Sequence, residues 1–599
     1  MTLTGIDWLF IALFFIISTA IGIITSRQAG KSAQDFFLSG RNMPWWLLGV
    51  SMVATTFSAD TPNLVADIVR NNGVAGNWVW WAFLLTGMLT VFVYARLWRK
   101  SGVLTDLEFY EVRYSGKEAA FLRGFRALYL GVFFNICIMA TVSLAAIKIG
   151  NIMLGFSPVQ TLLIASVVTV IYSSMGGLKG VLITDFFQFI IAMGGILWAT
   201  FVILDLPEIN GLSNLLQHEN VADKLSFLPD FSDTQNLLVL FIIPIAVQWW
   251  SVWYPGAEPG GGGYIAQRML SAKNEENAIG ATLFFNVAHY ALRPWPWIII
   301  SLASLVLFPE VEDIKTAFPN IDESVLGHDI AFPAMLTYLP AGLAGLVLAS
   351  LIAAFMSTIS THLNWGSSYV VYDFYKRFVN PDASEKALVN VGRITTVGLM
   401  VLASLLALAL TSALEAFNIL LSIGAGTGLL FILRWFWWRI NAYSEITAML
   451  VSFVMAIYFQ LIHHRLGFDP LPDYMNLILG IVITTIAWVV VTLVTNPSDE
   501  DVLIKFYKLV SPGGPGWSKL KKIAEDKGET LPDKGKAWNV PLEILMMIIG
   551  CFTVYAALFS MGYWIYGETT YALILTVLGI AGSIFLLSSW KKLKKGYAG

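Results

Sequence analysis

The segment that decides the fold is Ala54-Thr55-Thr56-Phe57-Ser58-Ala59-Asp60-Thr61-Pro62, which interrupts the apolar run that begins at Trp45. A second apolar run begins at Leu237 and ends in Tyr254-Pro255-Gly256-Ala257-Glu258-Pro259-Gly260-Gly261-Gly262-Gly263. Lipid cannot hydrogen-bond a freed peptide group, so a helix breaks at membrane depth only around a cavity or an ion. Paired interruptions of this kind indicate the binding site of a transporter.

The composition is that of an integral membrane protein. Of the 599 residues, 57% are hydrophobic and 13% are charged, whereas about a quarter of the residues of a soluble domain are charged. Apolar runs long enough to cross a bilayer recur along the whole chain, and we count about fifteen. They lie near residues 6–26, 45–69, 77–99, 126–154, 158–175, 180–204, 237–254, 280–308, 331–372, 389–412, 415–438, 444–465, 474–495, 541–566 and 570–590.

The charges between the spans predict the orientation of the chain. Lysine and arginine are concentrated after odd-numbered spans, as in 96–117, whereas the loops after even-numbered spans, such as 205–233 and 310–323, are acidic or short. We therefore expect a cytoplasmic (inner) membrane protein with its N-terminus outside and its C-terminus in the cytoplasm. Cys137 and Cys551 both lie in apolar runs, so we expect neither a disulfide nor a metal framework.

The two interruptions lie in spans two and seven, five spans apart. Because five is odd, the equivalent helices cross the membrane in opposite directions, which predicts an inverted five-plus-five repeat in an all-α membrane fold. The predicted segments are an N-terminal span (1–44), the first repeat (45–235), the second repeat (236–440), two further spans (441–495), a Lys-rich cytoplasmic linker (496–540) and two C-terminal spans with a basic tail (541–599). We expect the linker to be a solvated connector.

Four motifs occur in order along the first 360 residues. They are Asp35-Phe36-Phe37-Leu38-Ser39-Gly40-Arg41, then Leu107-Glu108-Phe109 with Glu111-Val112-Arg113-Tyr114, then Tyr172-Ser173-Ser174-Met175-Gly176-Gly177-Leu178-Lys179-Gly180-Val181 leading to Thr184-Asp185 and Gln188, and finally Ala353-Ala354-Phe355-Met356-Ser357-Thr358. This series resembles the sodium:solute symporters, the group that contains sodium/glucose, proline and sialic acid carriers. The resemblance covers about residues 6–465 and implies a LeuT-like fold and Na+ as the coupling ion.

The resemblance also implies a sodium site. Its ligands would be Ala54 and Phe57 in the broken span, together with Ala354, Ser357 and Thr358 in the ninth span. Unwound carbonyls and hydroxyls are the oxygen ligands that a hard cation prefers. The alternative, that these hydroxyls simply bond the preceding turn of their own helix, stays open.

A second sodium site is a further candidate. Asp185 lies in an apolar span, where a carboxylate indicates a functional site. In relatives with a second ion, this aspartate acts with hydroxyls that correspond in this sequence to Ser357, Ser360 and Thr361, which lie on one helical face. The alternative is that Asp185 pairs with a basic neighbour.

The solute site is predicted around the two breaks. Asp60 and Thr61 occupy positions where sugar-carrying relatives have an acidic residue and an amide, and Arg293 or His289 matches a basic residue of the eighth span. The remaining candidates are Trp80, Trp81, Trp253, Glu258 and Asn418. Arg293 could instead neutralise Asp60 or Glu258, and the tryptophans could belong to interfacial belts.

The sequence thus favours a Na+-coupled symporter for a small polar solute. A sugar or sugar derivative is favoured by Asp60 and the aromatic residues, and a carboxylate such as an amino or sialic-type acid by Arg293. A transporter-like membrane sensor is the alternative class. No catalytic motif, cofactor site or nucleic-acid partner is expected, so the chain is not predicted to be an enzyme, and a monomer in the lipid bilayer should suffice for function.

Overall fold

A computed structural model describes residues 3–29, 38–251, 258–410, 421–532 and 538–598. Within these residues all regular secondary structure is helical, apart from one isolated bridge between Met43 and Ala272. Several long helices contain a π-helical turn, in which one extra residue shifts the register of the side chains. One such turn, Ala288–Leu292, lies beside the broken second span.

Nineteen helices, numbered in chain order, make up most of the described structure. The first half contains α1 (Gly5–Ala29), α2 (Trp45–Thr56), α3 (Asp60–Asn72), α4 (Val74–Ser101), α5 (Phe109–Arg113), α6 (Gly116–Leu154), α7 (Pro158–Leu204) and α8 (Thr234–Trp250). The second half contains α9 (Gly263–Ser271), α10 (Glu275–Leu307), α11 (Leu343–Val379), α12 (Glu385–Ala407), α13 (Gly428–Leu433), α14 (Ala442–Ile457), α15 (Asp473–Val494), α16 (Glu500–Val510), α17 (Ser518–Asp526), α18 (Val540–Tyr566) and α19 (Thr569–Ala598). Shorter helices at Leu212–Gln217, Val311–Ala317 and Ala331–Leu336 lie in connections.

Within the described ranges, nine helices are long and apolar enough to cross a membrane, and five shorter apolar helices accompany them. These helices correspond to fourteen of the predicted spans, while the eleventh, 415–438, falls partly outside the described residues. The predicted spans 158–175 and 180–204 lie within one continuous helix, α7, whose apolar stretches Pro158–Ile171 and Leu178–Leu204 match them.

The bundle is centred on the broken second span. Helix α2 packs against α7, α10 and α11, and α3 packs against α10. The two C-terminal helices α18 and α19 pack on each other, and α18 also contacts α4 and the π-helical turn of α10. The break therefore lies between elements from both predicted repeats.

Helix α1 is tied to the start of α11 by one buried carboxylate. Asp7 Oδ1 accepts hydrogen bonds from the backbone N–H groups of Gly342 (2.7 Å) and Gly345 (2.8 Å). Its other oxygen accepts from the N–H of Thr4 at 2.8 Å. A carboxylate at a helix N-terminus satisfies otherwise unpaired N–H groups and interacts favourably with the helix dipole.

The 496–540 segment is not the solvated connector that the sequence suggested. It contains two helices, α16 and α17, whose apolar faces are buried. The buried residues are Leu503, Ile504, Phe506, Tyr507, Val510, Trp517, Leu520 and Ala524. The segment's many lysines indicated a wholly solvated surface, but the apolar residues between them recur at helical spacing and pack on the bundle.

Replacement of Asp7 tests the tie between α1 and α11. Asp7→Ala leaves two N–H groups of α11 without partners, so we expect a loss of stability of about 2 kcal/mol. The measurement is thermal unfolding of the purified protein in detergent. Asp223→Ala, at an exposed carboxylate, is the control, and equal melting temperatures for the two variants would contradict this role of Asp7.

Candidate functional site

The predicted break in the second span is present. Helix α2 ends at Thr56, Phe57 adopts a non-helical conformation (φ −83°, ψ 70°), and α3 begins at Asp60. The N–H of Phe57 still donates to Val53 O (2.7 Å), and the next backbone bond joins the Thr61 N–H to Ser58 O (3.2 Å). The last turn of α2 therefore exposes carbonyl oxygens to groups outside the helix.

Side chains from three helices bond these carbonyls. From α11, the Thr358 hydroxyl donates to Thr55 O at 2.8 Å. From α3, the Thr61 hydroxyl donates to Thr56 O at 3.2 Å. From α10, Arg293 Nη1 donates to Val53 O at 3.4 Å. The freed peptide groups are thus satisfied inside the bundle, as the absence of water at membrane depth requires.

The predicted sodium ligands lie on the two sides of this contact. All five are buried, with exposed fractions of 4% or less: Ala54, Phe57, Ala354, Ser357 and Thr358. The Thr358–Thr55 bond joins the two helices that carry them. The Ser357 hydroxyl donates to Asp185 Oδ1 at 2.5 Å, so this hydroxyl also connects to α7.

Asp185 is the centre of a polar network between α2, α7, α9 and α11. Its second oxygen accepts from the Ser51 hydroxyl at 2.5 Å. Arg268 Nη2 donates both to Ser51 Oγ (3.3 Å) and to Thr361 Oγ1 (3.0 Å). Ser360, the remaining residue of the predicted second site, donates to the carbonyl of Ser357 in its own helix.

Sequence reasoning missed Ser51 and Arg268 in this network. Ser51 lies one turn before Ala54, so a helical projection of α2 could have placed it on the same face. Arg268 lies at the end of the short stretch Tyr264–Arg268 and is completely buried. An intramembrane arginine marks a functional site by default, but the sequence offered no indication of its partner.

A small cavity with a mixed lining of polar and apolar residues lies next to the break. Its volume is about 40 Å³, and a water molecule needs roughly 10–15 Å³, so it holds a few waters and is too small for a hexose. It is lined by Thr56, Phe83, Thr86, Gly87, Thr90, Glu258, Gly261, Tyr264, Ile265, Thr282, Phe285, Asn286 and Tyr290. Of the predicted solute residues, Glu258 lines it. Asn286 was not predicted, and within the described chain its Oδ1 is buried without a hydrogen-bond partner.

Arg293 contacts the end of α2 in this structure. Across the described residues it forms no ion pair with Asp60 or Glu258; instead its guanidinium donates to Thr56 Oγ1 (3.2 Å) and lies 5.0 Å from the Trp297 ring centroid. His289 lies beside it, with its Nδ1 3.1 Å from the same Thr56 hydroxyl. Both side chains therefore hold the end of α2, and neither lines the cavity.

The other predicted solute residues lie around the cavity. Trp80 stacks on Tyr290 (5.9 Å between centroids, 23°). Trp81 packs against Phe559 of α18 (5.7 Å) and so faces away from the break. At the start of α3, Asp60 Oδ1 is buried and finds no hydrogen-bond partner in the described structure. The predicted residues Trp253 and Asn418 lie outside the described residues.

Glu258 is paired with two arginines on its other side. It forms an ion pair with Arg126 of α6, and its Oε2 lies 3.7 Å from Arg434 Nη2. All three side chains are at most 2% exposed. Glu258 therefore connects the cavity to a charged cluster inside the bundle.

A helical membrane bundle with a broken second span, a facing hydroxyl-bearing helix and a small cavity beside the break has the architecture of a secondary transporter. The model of the sodium:solute symporter family matches residues 36–452. The chain belongs to that family, which is one of transporters and not of enzymes.

Individual relatives agree with this assignment. The chain is 25% identical over 521 residues to the sodium/glucose cotransporter of Vibrio parahaemolyticus, over 83% of this chain and 92% of that one. It is 27% identical over 427 residues to sodium/glucose cotransporter 4 of Mus musculus, over 67% of this chain and 59% of that one. A solved structure of a Na+-coupled sialic acid symporter in its substrate-bound outward-open state aligns with a TM-score of 0.65 and 22% identity, over 83% of this chain and 99% of that one.

The likeness to the solved structure confirms the predicted fold. The protein is an all-α, multi-pass membrane protein with a LeuT-like architecture. The family resemblance that the four motifs carried is likewise confirmed.

Replacement of Ser357 tests the sodium face. Ser357→Ala removes one of the predicted oxygen ligands, so we expect the Na+ concentration for half-maximal thermal stabilisation to rise about tenfold, which corresponds to about 1.4 kcal/mol. Ser350→Ala is the matched control, because Ser350 is a buried serine of the same helix whose hydroxyl donates to Val347 O. If the two variants keep the same Na+ dependence, Ser357 is not a ligand.

Proposed function

We propose that the protein couples inward Na+ flow to the uptake of a small, neutral, polar solute by alternating access, and that a sugar or sugar derivative is the favoured class. The observation that carries this proposal is the break at residues 57–59, which lies between the hydroxyl-bearing face of α11 and a cavity lined in part by Glu258, Asn286 and Thr56. Ion and solute would thus meet at the same interruption of one helix.

The sodium site would use the carbonyl oxygens of Ala54, Phe57 and Ala354 with the hydroxyls of Ser357 and Thr358. These are hard oxygen donors of the type that Na+ requires. Both hydroxyls donate to protein oxygens in this structure. On ion binding, each hydroxyl would turn a lone pair of its oxygen toward the cation, while its O–H continues to donate to the present acceptor.

A second Na+ at Asp185, Ser357, Ser360 and Thr361 would compete with Arg268. The guanidinium already donates to Thr361 and to Ser51, which in turn bonds Asp185. A buried carboxylate needs one compensating positive charge nearby. We therefore favour a single bound Na+ in this conformation. A second ion would bind only if Arg268 moved away from Ser51 and Thr361.

The cavity favours a solute with hydroxyl groups. Among the residues that the structure describes, its lining contains no lysine, arginine or histidine, while Glu258, Thr56 and Asn286 offer hydrogen-bond acceptors and donors. A carboxylate solute would lack a positive partner there, because Arg293 is directed at the end of α2. Asp60, with its unpartnered buried oxygen, would add a second acceptor once the cavity widens. The names of the sodium/glucose relatives support the same class.

We further propose that the protein lies in the cytoplasmic membrane with its N-terminus outside. The alternation of basic and acidic loops supports this orientation. A monomer contains the broken helix, the hydroxyl face and the cavity, so a single chain would suffice for transport.

The function is tested by uptake into proteoliposomes. Labelled hexoses, polyols, amino acids and sialic acid are offered with an inward gradient of Na+ or of K+. We expect Na+-dependent accumulation of a neutral polyhydroxylated solute. Accumulation of an acidic solute instead, or equal uptake with K+, would contradict the proposal.

Asn286 provides a residue-level test with the solute identified in that screen. Asn286→Ala removes the unpartnered cavity oxygen, and we expect solute affinity to fall about tenfold, the effect of losing roughly one good hydrogen bond, with Na+ half-saturation unchanged. The measurement is solute binding at saturating Na+. Ser301→Ala on the same helix, whose hydroxyl donates to Trp297 O, is the control, and equal affinities would remove Asn286 from the site.

A further inference from the structure

Residues 500–526, called the latch below, lie beyond the part of the chain that the family model matches. The latch consists of α16, the turn Pro515–Trp517 and α17. Helix α16 packs against α5 and against the last residues of α4. Phe506 contacts the ring of Phe109 in α5 at 5.7 Å. The latch therefore covers one end of the transport bundle.

Trp517 fixes the latch to the segment that follows α13. It is completely buried, and its Nε1 donates to Trp435 O at 3.0 Å. In the reverse direction, the Trp438 N–H donates to Gly516 O at 3.2 Å. A Cβ on Gly516 would overlap the carbonyl oxygen of Phe436. Glycine is thus required for this close approach.

Arg113 connects the latch to the same segment. Its guanidinium lies over the Trp517 ring at 4.9 Å and over Phe506 at 5.3 Å, and both distances suit cation–π attraction. The same group donates from Nε to Arg434 O (3.1 Å) and from Nη2 to Trp437 O (3.0 Å). The Arg113 guanidinium is therefore buried between two parts of the chain: the aromatic rings of the latch and the backbone around Arg434.

Arg434 belongs to a cluster of four buried charges, called the inner charge cluster below. Arg434 lies 3.7 Å from Glu258 and 3.5 Å from Glu445 of α14. Arg126 pairs with the same two carboxylates. Arg434 Nη1 also donates to the Tyr110 hydroxyl at 3.0 Å. The two arginines and two glutamates thus neutralise each other, as buried charges require.

The inner charge cluster closes the cavity on the side of the latch. Glu258 lines the cavity on one side and pairs with Arg126 and Arg434 on the other. A pathway from the cavity to this end of the bundle can open only if Glu258 separates from those arginines. Any contact that holds Arg434 in place therefore favours the closed arrangement.

We propose that the latch is a gating element that stabilises the closed state of the pathway on its side of the membrane, through Trp517, Arg113 and Arg434 to Glu258. A contact made only in the closed state raises the population of that state, and its loss raises the population of the open one. This proposal depends on the proposed function in one respect: it requires a transport pathway that opens at this end of the bundle. It does not depend on the identity of the solute.

The test measures opening directly, without solute. Met269 is completely buried in α9 and packs on the cavity residue Gly261, so Met269→Cys in a Cys137→Ala, Cys551→Ala background reports access from this end. We expect Trp517→Ala in the full-length protein to speed labelling by a polar thiol reagent about tenfold, as when a minor state rises from about 1% to about 10%. Gly516→Ala should act in the same direction.

Lys508→Ala is the matched control, because it removes an exposed ion pair with Glu529 within the same segment. Its labelling rate should equal that of the parent. If Trp517→Ala does not fold, Trp517→Phe decides, since it keeps an aromatic ring and removes the Nε1–Trp435 bond, and its labelling should still be faster. An unchanged rate in the folded Trp517 variants would overturn the proposal, whatever solute is transported.

Discussion

The end of α2 is held by hydrogen bonds that its own helix does not make. The carbonyl oxygens of Thr55 and Thr56 accept from Thr358 and Thr61, and the Val53 carbonyl, which already accepts the Phe57 N–H, gains a second donor in Arg293. The three side chains belong to three different helices. Since lipid cannot replace a missing donor, the break persists only while α3, α10 and α11 keep these positions. Movement of any one of them changes which carbonyls are available to an ion, and this is how binding and conformational change would be linked.

Two buried charge networks lie on either side of this break. One joins Asp185 to Arg268 through Ser51, and the other joins Glu258 to Arg126 and Arg434. Buried charges are costly unless each is paired, so neither network can open without a substitute for the lost partner. A Na+ ion beside Asp185 would be such a substitute, whereas a solute hydroxyl beside Glu258 would supply a hydrogen bond to the carboxylate but no charge. The energetic cost of opening is therefore connected to the presence of ion and solute.

The backbone break and most of the spans could be predicted from the sequence, because proline and small polar residues interrupt a helix locally and apolar length defines a span. The family could be predicted from the four motifs. The lining of the cavity could not be predicted in this way. Comparison with the family's basic residue on this helix pointed to His289 and Arg293, which lie in and just after the π-helical turn Ala288–Leu292, whereas Asn286, before that turn, lines the cavity. The partners of Glu258 and the docking of Trp517 on Trp435 depend on contacts between residues far apart in the chain, which no local pattern encodes.

Thr358 offers the most direct test of a sodium-binding break, because its hydroxyl connects α11 to the end of α2. Thr358→Val keeps the shape of the side chain and removes the hydroxyl. The measurement is the rise in melting temperature of the purified protein on exchange of K+ for Na+. We expect a clear Na+-specific rise in the parent protein and its loss in the variant. An undiminished rise in Thr358→Val, or equal melting temperatures of the parent in the two salts, would contradict a sodium site at the end of α2.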